Sequence, residues 1–307
     1  MNYVRLIAPA KVNLVLAVGE KREDGFHDVT TIMHSLSFHD TLIMRRFEAE
    51  DDQEREKELS IRLFTESAGD IASLEVAPED NLVYKAVQAL AKTLDRGQGE
   101  EIHVKLQKQI PHEAGLGGGS ADAAAALVGA ASLWDVDASD SRIYDVAASL
   151  GSDVSFFLHG GCVLLDGKGE RFVSRLKPRK DFILLVRPDA GVSTAAAYRQ
   201  FDENPVFPDD NYLEKLRTIE SAEAVEPWNN LTKASEAIAP ELTEVQQWAE
   251  SHDEIPSALL CGSGSAFCLF CQSHDQAQKL AVEAYSRGWW TRITSFSRVG
   301  AAIVEAY

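Results

Sequence analysis

Residues 112–122 read His-Glu-Ala-Gly-Leu-Gly-Gly-Gly-Ser-Ala-Asp, and residues 123–126 are four alanines. Four glycines in five positions, Gly115, Gly117, Gly118 and Gly119, thus stand directly before a strong helix former. Upstream, Ile102, Val104, Leu106 and Ile110 recur at period two, with Lys108 interrupting the apolar series, which predicts a half-buried strand. A strand, a glycine-rich loop and a helix in succession make a cradle for phosphate. Glycine has no Cβ, so several backbone N–H groups can converge on an anion. The helix N-terminus adds unsatisfied donors and the positive end of its dipole. Ser120 offers a hydroxyl to phosphate or magnesium, and Asp122 falls where a first-turn carboxylate suits the dipole. The loop is neither a Walker A motif, lacking Gly-Lys-Ser/Thr at the required spacing, nor a G-x-G-x-x-G fingerprint. Alone, it is as readily a structural turn as a binding site.

The rest of the composition narrows the field. A chain of 307 residues predicts two domains or one large one, and 45% hydrophobic residues supply real cores. No run approaches the ~18 apolar residues of a membrane span. The stretch MNYVRLIAPAKVN carries no long apolar signal region, so a cytoplasmic protein with no membrane partner is expected. A net charge of -18 opposes nucleic-acid binding, yet a local positive pocket on an acidic protein can still take a small anionic substrate. Much of the acidity lies in residues 48–58, EAEDDQEREKE, expected as a solvated loop or tip. Cys268-Leu-Phe-Cys271 has a metal-like spacing but sits in an apolar strand, where positions three apart face opposite sides. Reduced core cysteines are expected.

Along the chain, residues 12–18 read as a strand, followed by an Asp-Gly turn in residues 23–27. Helices are expected over 120–134 and 141–150, the second placing Ile143, Val146, Ala147 and Leu150 on one face and stopping at Gly151. A second region starts near residue 177, giving domains of 1–176 and 177–307. It opens on a strand at 182–186, with a helix candidate after Thr194 and a longer helix over 231–251 recapped around Pro240. Two strands, 257–260 and 267–271, flank the turn Cys261-Gly-Ser-Gly-Ser265. A helix over 275–287 and closing strands complete an α+β sandwich.

Five segments in order, Pro9-Ala-Lys-Val-Asn13, Gly25-Phe-His27, the loop at 112–122, Leu150-Gly-Ser-Asp-Val-Ser-Phe156 and Cys261-Gly-Ser-Gly-Ser-Ala266, resemble the GHMP kinase superfamily over nearly the whole chain. The PAKVN and REDGFH segments, and LGSDVSFFL with a later Gly-Lys-Gly-Glu, resemble most the branch that phosphorylates the 2-hydroxyl of 4-diphosphocytidyl-2-C-methyl-D-erythritol, in non-mevalonate isoprenoid precursor biosynthesis. The resemblance implies a two-domain fold, N-terminal ribosomal-protein-S5-domain-2-like and C-terminal ferredoxin-like. It implies ATP and Mg²⁺, a cytidyl diphosphate sugar alcohol as substrate, and a monomer or weak homodimer. Two departures stand out: Phe26 replaces the usual tyrosine, and Glu113, Ala114 and Ala121 replace small or hydroxyl residues of the loop.

The chemistry implied is phosphoryl transfer, which needs a positioned nucleophile and neutralised phosphate charge. Asp153 is the candidate general base; the alternative is that Ser152 or Asp153 caps a short helix through Leu158. Its apolar neighbours suggest a buried carboxylate. Lys11 is its natural partner, the alternative being a solvated strand-end lysine. Asn13 shares a face with Lys11 on a strand and offers hydrogen bonds to the acceptor's hydroxyls. His27 is expected to read the cytosine edge or the diphosphate, with Phe26 stacked on the base. Tyr198 is a second face for cytosine or else core packing. Gly262 and Gly264 admit close approach of the C-terminal domain, or form a plain hairpin turn. The nucleotide is assigned to Pro111, His112, Glu113, Ala114, Gly115, Leu116, Gly117, Gly118, Gly119, Ser120 and Ala121. Competing functions are another GHMP kinase, for mevalonate, homoserine or a sugar, and a non-catalytic nucleotide-binding relative.

Overall fold

In a computed structural model, which describes residues 1–49, 56–73, 76–253, 255 and 258–307, the chain opens on a long antiparallel hairpin. Its strands are β1 (Tyr3–Lys21) and β2 (His27–Glu48), so the strand read at 12–18 is the middle of a longer one. The turn between them holds Asp24, whose Oδ1 accepts from the Phe26 N–H at 3.1 Å. This is the Asx geometry that an Asp-Gly step favours. Register shifts between Pro9 and Lys11 and between Asn13 and Val15 bend β1. Bulges of this kind re-aim side chains. Here they divide Val4, Leu6 and Ala8, in a first core, from Ala10, Val12 and Leu14, in a second.

Next come β3 (Ser60–Ser67), α1 (Leu82–Leu94), β4 (Glu100–Lys108), α2 (Gly118–Leu133), α3 (Ser141–Leu150), α4 (Ser152–His159), β5 (Cys162–Asp166) and β6 (Arg171–Leu176). The first sheet runs β3-β4-β2-β1, with β5 and β6 continuing from β2. The helix α2 is buried on nearly every side: Ala121, Ala123, Ala124, Ala125, Ala126 and Leu127 have no exposure. An all-round apolar helix belongs in a core, and α2 packs between α1, α4 and the sheet. Most of the acidic run falls in residues 50–55, outside the described residues.

The second part contains β7 (Phe182–Arg187), α5 (Thr194–Glu203), α6 (Asp210–Thr218), β8 (Trp228–Asn229), α7 (Thr232–Ile238), α8 (Glu241–Glu250), β9 (Ala258–Leu260), β10 (Phe267–Cys271), α9 (His274–Ser286), β11 (Trp290–Ser295) and β12 (Ala302–Ala306). The expected break at Pro240 separates α7 from α8. The second sheet has the order β11-β7-β10-β9, every pair antiparallel. Numbered within the sheet this is 4-1-3-2, the ferredoxin-like arrangement, with α8 and α9 against one face and the first part against the other. Cys268 and Cys271 enter different cores, as their spacing on a strand requires. We propose the division 1–176 and 177–307 with one qualification from the topology: β8 and β12 cross it and pair with β1.

Candidate active site

Four of the five segments picked out in the sequence line one cleft of about 580 Å³ between the two sheets; the Gly25-Phe-His27 segment does not. Residues 111–120 line it: Pro111, His112, Glu113, Ala114, Gly115, Leu116, Gly117, Gly118, Gly119 and Ser120. Ala121 does not. The helix has already begun at Gly118, which turns residue 121 into the first core with no exposure, so its assignment to the nucleotide is corrected. The earlier start also places Asp122 in the second helical turn rather than the first. Gly117, at φ 72°, makes the left-handed turn into α2. No side chain caps that helix. The N–H groups of Gly118, Gly119 and Ser120 therefore have no partner within the helix, and three donors and a dipole end are left at the cleft.

The loop is held from two sides. Lys11 N–H donates to the Leu116 carbonyl at 2.9 Å, tying it to β1. Ser265 and Ala266 donate their N–H groups to the Glu113 and Ala114 carbonyls at 3.1 Å each, tying it to the turn before β10. Gly115, at φ 73°, lies where a Cβ would come 1.7 Å from the Cys261 carbonyl oxygen. The Gly-Ser-Gly-Ser turn is thus a packing partner of the glycine loop as well as a hairpin. Asn229 fixes this turn by donating Nδ2 to the Leu260 and Gly262 carbonyls at 2.9 and 2.7 Å.

Between the flanking bulges, Lys11 and Asn13 point together into the cleft. Lys11 is only 4% exposed, so it is not a solvated strand-end lysine. Its Nζ donates to Asn13 Oδ1 at 2.6 Å and lies 3.4 Å from Asp153 Oδ2. Asn13 Nδ2 in turn donates to Thr31 Oγ1 at 2.9 Å, which orients the amide. Asp153 comes from the first turn of α4. The N-cap of α4 is Gly151 with no side-chain bond, so neither Ser152 nor Asp153 acts as a cap. The Asp153 side chain is 32% exposed and faces the cleft; the apolar residues after it bury themselves instead, which corrects the expectation of a buried carboxylate.

The aromatic residues are arranged differently from the expectation. Tyr198 lines the cleft and also packs on the Leu16, Val18 and Phe201 cluster. Burial, with the Asp153 charge added, pushes its phenol well above the usual range. His27 is buried with Nε2 2.7 Å from Asp202 Oδ1 and its ring 5.2 Å from that of Tyr198. That nitrogen is thus engaged by Asp202. Phe26 is not among the residues that line the cleft; it is 57% exposed at the rim, where Lys168 Nζ lies 4.6 Å from its ring centroid. Lys168, in the Gly-Lys-Gly-Glu run, lines the cleft, a place that its local sequence does not foretell.

Sequence reasoning also missed a buried charge cluster behind the loop. Lys108, the residue that interrupts the strand pattern, donates to Asp40 and, at 2.6 Å, to Asp122 Oδ2. All three are at most 6% exposed. Burial raises the Asp122 carboxyl above the ordinary range against the pull of Lys108, and Asp40 adds to the rise. Burial opposes the charge on Lys108, but the two carboxylates outweigh it and hold its pKa above the ordinary value.

Comparison with known proteins accords with this geometry. The family described as GHMP kinases N terminal domain matches residues 81–161, and GHMP kinases C terminal matches residues 212–288. The chain belongs to the GHMP kinase family. This GHMP kinase is 34% identical over 298 residues to a 4-diphosphocytidyl-2-C-methyl-D-erythritol kinase of Desulfitobacterium hafniense, covering 95% of this chain and 96% of the relative. It is also 34% identical to the protein of that name from Salinispora tropica, covering 91% and 87%. A crystal structure of a 4-(cytidine 5'-diphospho)-2C-methyl-D-erythritol kinase superposes with a TM-score of 0.74 at 29% identity, covering 95% of this chain and 99% of that one. A homoserine kinase from Cytophaga hutchinsonii shares the fold, with a TM-score of 0.73 at 17% identity.

Proposed function

We propose that this GHMP kinase transfers the γ-phosphoryl group of ATP to the 2-hydroxyl of 4-diphosphocytidyl-2-C-methyl-D-erythritol. The observation that carries the reading is the pairing of Lys11 with Asp153 at 3.4 Å in the cleft that the phosphate loop lines. The names of the full-length relatives supply the substrate.

Asp153 accepts the proton of the attacking hydroxyl, and its partial exposure lets the acceptor reach it. Lys11 offsets the negative charge that gathers as the hydroxyl oxygen approaches phosphate. Asn13, held by Thr31, presents its amide to the acceptor's other hydroxyls. The uncapped N-terminus of α2 and the loop N–H groups receive the nucleotide phosphates in place of a Walker lysine. Tyr198 and the rim residue Phe26 supply aromatic faces for the cytosine. His27, oriented by Asp202, reads the base or the diphosphate.

Among the described residues no cluster of three or more His, Cys, Asp or Glu side chains could hold a metal. An Mg²⁺ arriving with the nucleotide would have the Ser120 hydroxyl, which lines the cleft at the start of α2, as its protein contact. When bound it neutralises phosphate charge. Among the described residues no helix is long and apolar enough to cross a membrane. A cytoplasmic location is proposed, in keeping with four free, buried cysteines, and a monomer or weak homodimer is proposed on the family resemblance alone.

A coupled ADP-release assay with cytidyl, mevalonate and homoserine acceptors tests the proposal. Release stimulated by the cytidyl acceptor alone is expected. Equal or greater stimulation by mevalonate or homoserine would overturn the substrate assignment, and no stimulation by any acceptor would overturn the kinase reading.

A further inference from the structure

The cluster at the back of the phosphate loop is buried, charged and unused by the chemistry above, although Lys108 and Asp122 also border the cleft. Asp40, on β2, has no exposure and three donors converge on it: Lys108 Nζ, the Gln109 N–H, and the Ile110 N–H at 2.8 Å. Those two backbone groups are where the chain leaves β4 for the loop. Asp122 sits on α2, where the loop has ended, and receives the same ammonium at 2.6 Å. One lysine therefore links the two ends of the loop through two carboxylates on different elements. Lys108 Nζ also lies 3.1 Å from the point where a Cβ on Gly118 would stand, directly behind the first residue of α2. Asp122 Oδ1 is buried and has no hydrogen-bond partner among the described residues.

A buried lysine with two carboxylates is expensive as a device for stability alone, since apolar residues of similar volume often serve as well or better. What it supplies is direction: charge-assisted hydrogen bonds fix two backbone N–H groups and a helical turn to one point. We propose that Asp40, Lys108 and Asp122 are positioning residues for the phosphate loop, holding its two ends at the separation at which the loop and helix N–H groups fit the phosphates of ATP. The inference rests on the reading that this loop takes ATP. Lys11, Asn13 and Asp153 stand on β1 and α4 and make none of these bonds; Lys11 meets the loop through its backbone N–H on the Leu116 carbonyl, while its ammonium is held separately by Asn13 and Asp153.

The deciding variants are Asp40→Asn, Asp122→Asn and Asp122→Leu, each measured for its direct ATP dissociation constant, KM for ATP, KM for the cytidyl acceptor, and melting temperature. Lys108→Met would leave two buried carboxylates without their cation and is expected to destabilise the fold, so it decides nothing alone. Asp40→Asn removes a charged acceptor from three donors, and ATP affinity is expected to fall by about ten- to a hundredfold while the acceptor KM stays within about twofold. Asp122→Leu is expected to follow it. Asp122→Asn keeps an oxygen for Lys108 and is expected to restore ATP affinity to within about threefold of wild type. ATP affinity within twofold of wild type in Asp40→Asn, or equal losses for both ligands in Asp40→Asn and Asp122→Leu, overturns the positioning role. So does an Asp122→Asn variant as impaired as Asp122→Leu. Wild-type protein that binds no ATP overturns the nucleotide reading itself, and that titration precedes any variant.

Discussion

Gly115→Ala probes the contact that joins the two halves of the site. The new Cβ would lie 1.7 Å from the Cys261 carbonyl oxygen and 2.7 Å from its carbon. Both neighbours are backbone, so no rotamer change relieves the clash. The turn cannot slide away either, because Ser265 and Ala266 donate to the Glu113 and Ala114 carbonyls on the same loop. Two costs add. A non-glycine residue in the left-handed region costs roughly 1–2 kcal/mol, and forcing extra volume into a packed site costs typically about 1–3 kcal/mol. The expected loss of folding free energy is therefore about 2–5 kcal/mol on these two scales. Gly119→Ala is the matched control. It stands in the first turn of α2, with Leu82 Cδ1 at 3.8 Å as the nearest atom to the added Cβ, and removing a helical glycine gains about 0.5–1 kcal/mol. Urea unfolding of both variants, with ATP and acceptor titrations on the folded protein, gives the comparison. Because Lys11 N–H is bonded to the Leu116 carbonyl, a displaced loop also drags on Lys11, and Gly115→Ala should lose turnover as well as stability. A Gly115→Ala protein destabilised by less than about 1 kcal/mol, or no more than Gly119→Ala, would refute the steric reasoning.

Asp153→Asn is expected to lower turnover by roughly 10²–10⁴-fold with ATP affinity kept, since the amide preserves shape but accepts no proton; single-turnover rates within about threefold of wild type would remove Asp153 as the base. Phe26→Ala is expected to raise the cytidyl-acceptor dissociation constant by about ten- to a hundredfold, on a stacking worth of roughly 1–3 kcal/mol, while Phe26→Tyr changes it less than about threefold. Calorimetric titration checks both, and an unchanged constant in a stable Phe26→Ala protein argues that the exposed ring serves only as a seat for Lys168. Burial pushes the Cys162 and Cys261 thiols up to about 12 and that of Cys271 to about 11, and it holds Cys268 well above the ordinary range. A raised thiol pKa means that thiolate is scarce below it, so a disulfide reagent at pH 8 should label none of the four in the native protein and all four after denaturation. A thiol that reacts rapidly in the native state would contradict this burial.

Local pattern made several features legible. The step from alternating apolar residues through Gly115–Gly119 into four alanines announced strand, glycine loop and helix, because each demands its own backbone freedom. The two-residue spacing of Lys11 and Asn13 placed them on one face, and the three-residue spacing of Cys268 and Cys271 separated their sulfurs. These inferences hold over a few residues, where strand and helix periods fix direction. The tertiary structure decided what depends on partners distant in the chain. Lys108 looked like a fault in a strand until β2 brought Asp40 and α2 brought Asp122 beside it. The wish of Asp153 for burial was overruled by Val154, Phe156 and Phe157, which take the core side of α4 and leave the carboxylate at the cleft. Asp202, 175 residues from His27, holds Nε2 of its imidazole. Gly115 reads as one of several flexible residues, and only the approach of the Cys261 carbonyl makes it a position with no room for a side chain. Sequence spacing sets which way a residue points along its own element; the charge, shape and backbone that meet it there belong to elements folded in from elsewhere.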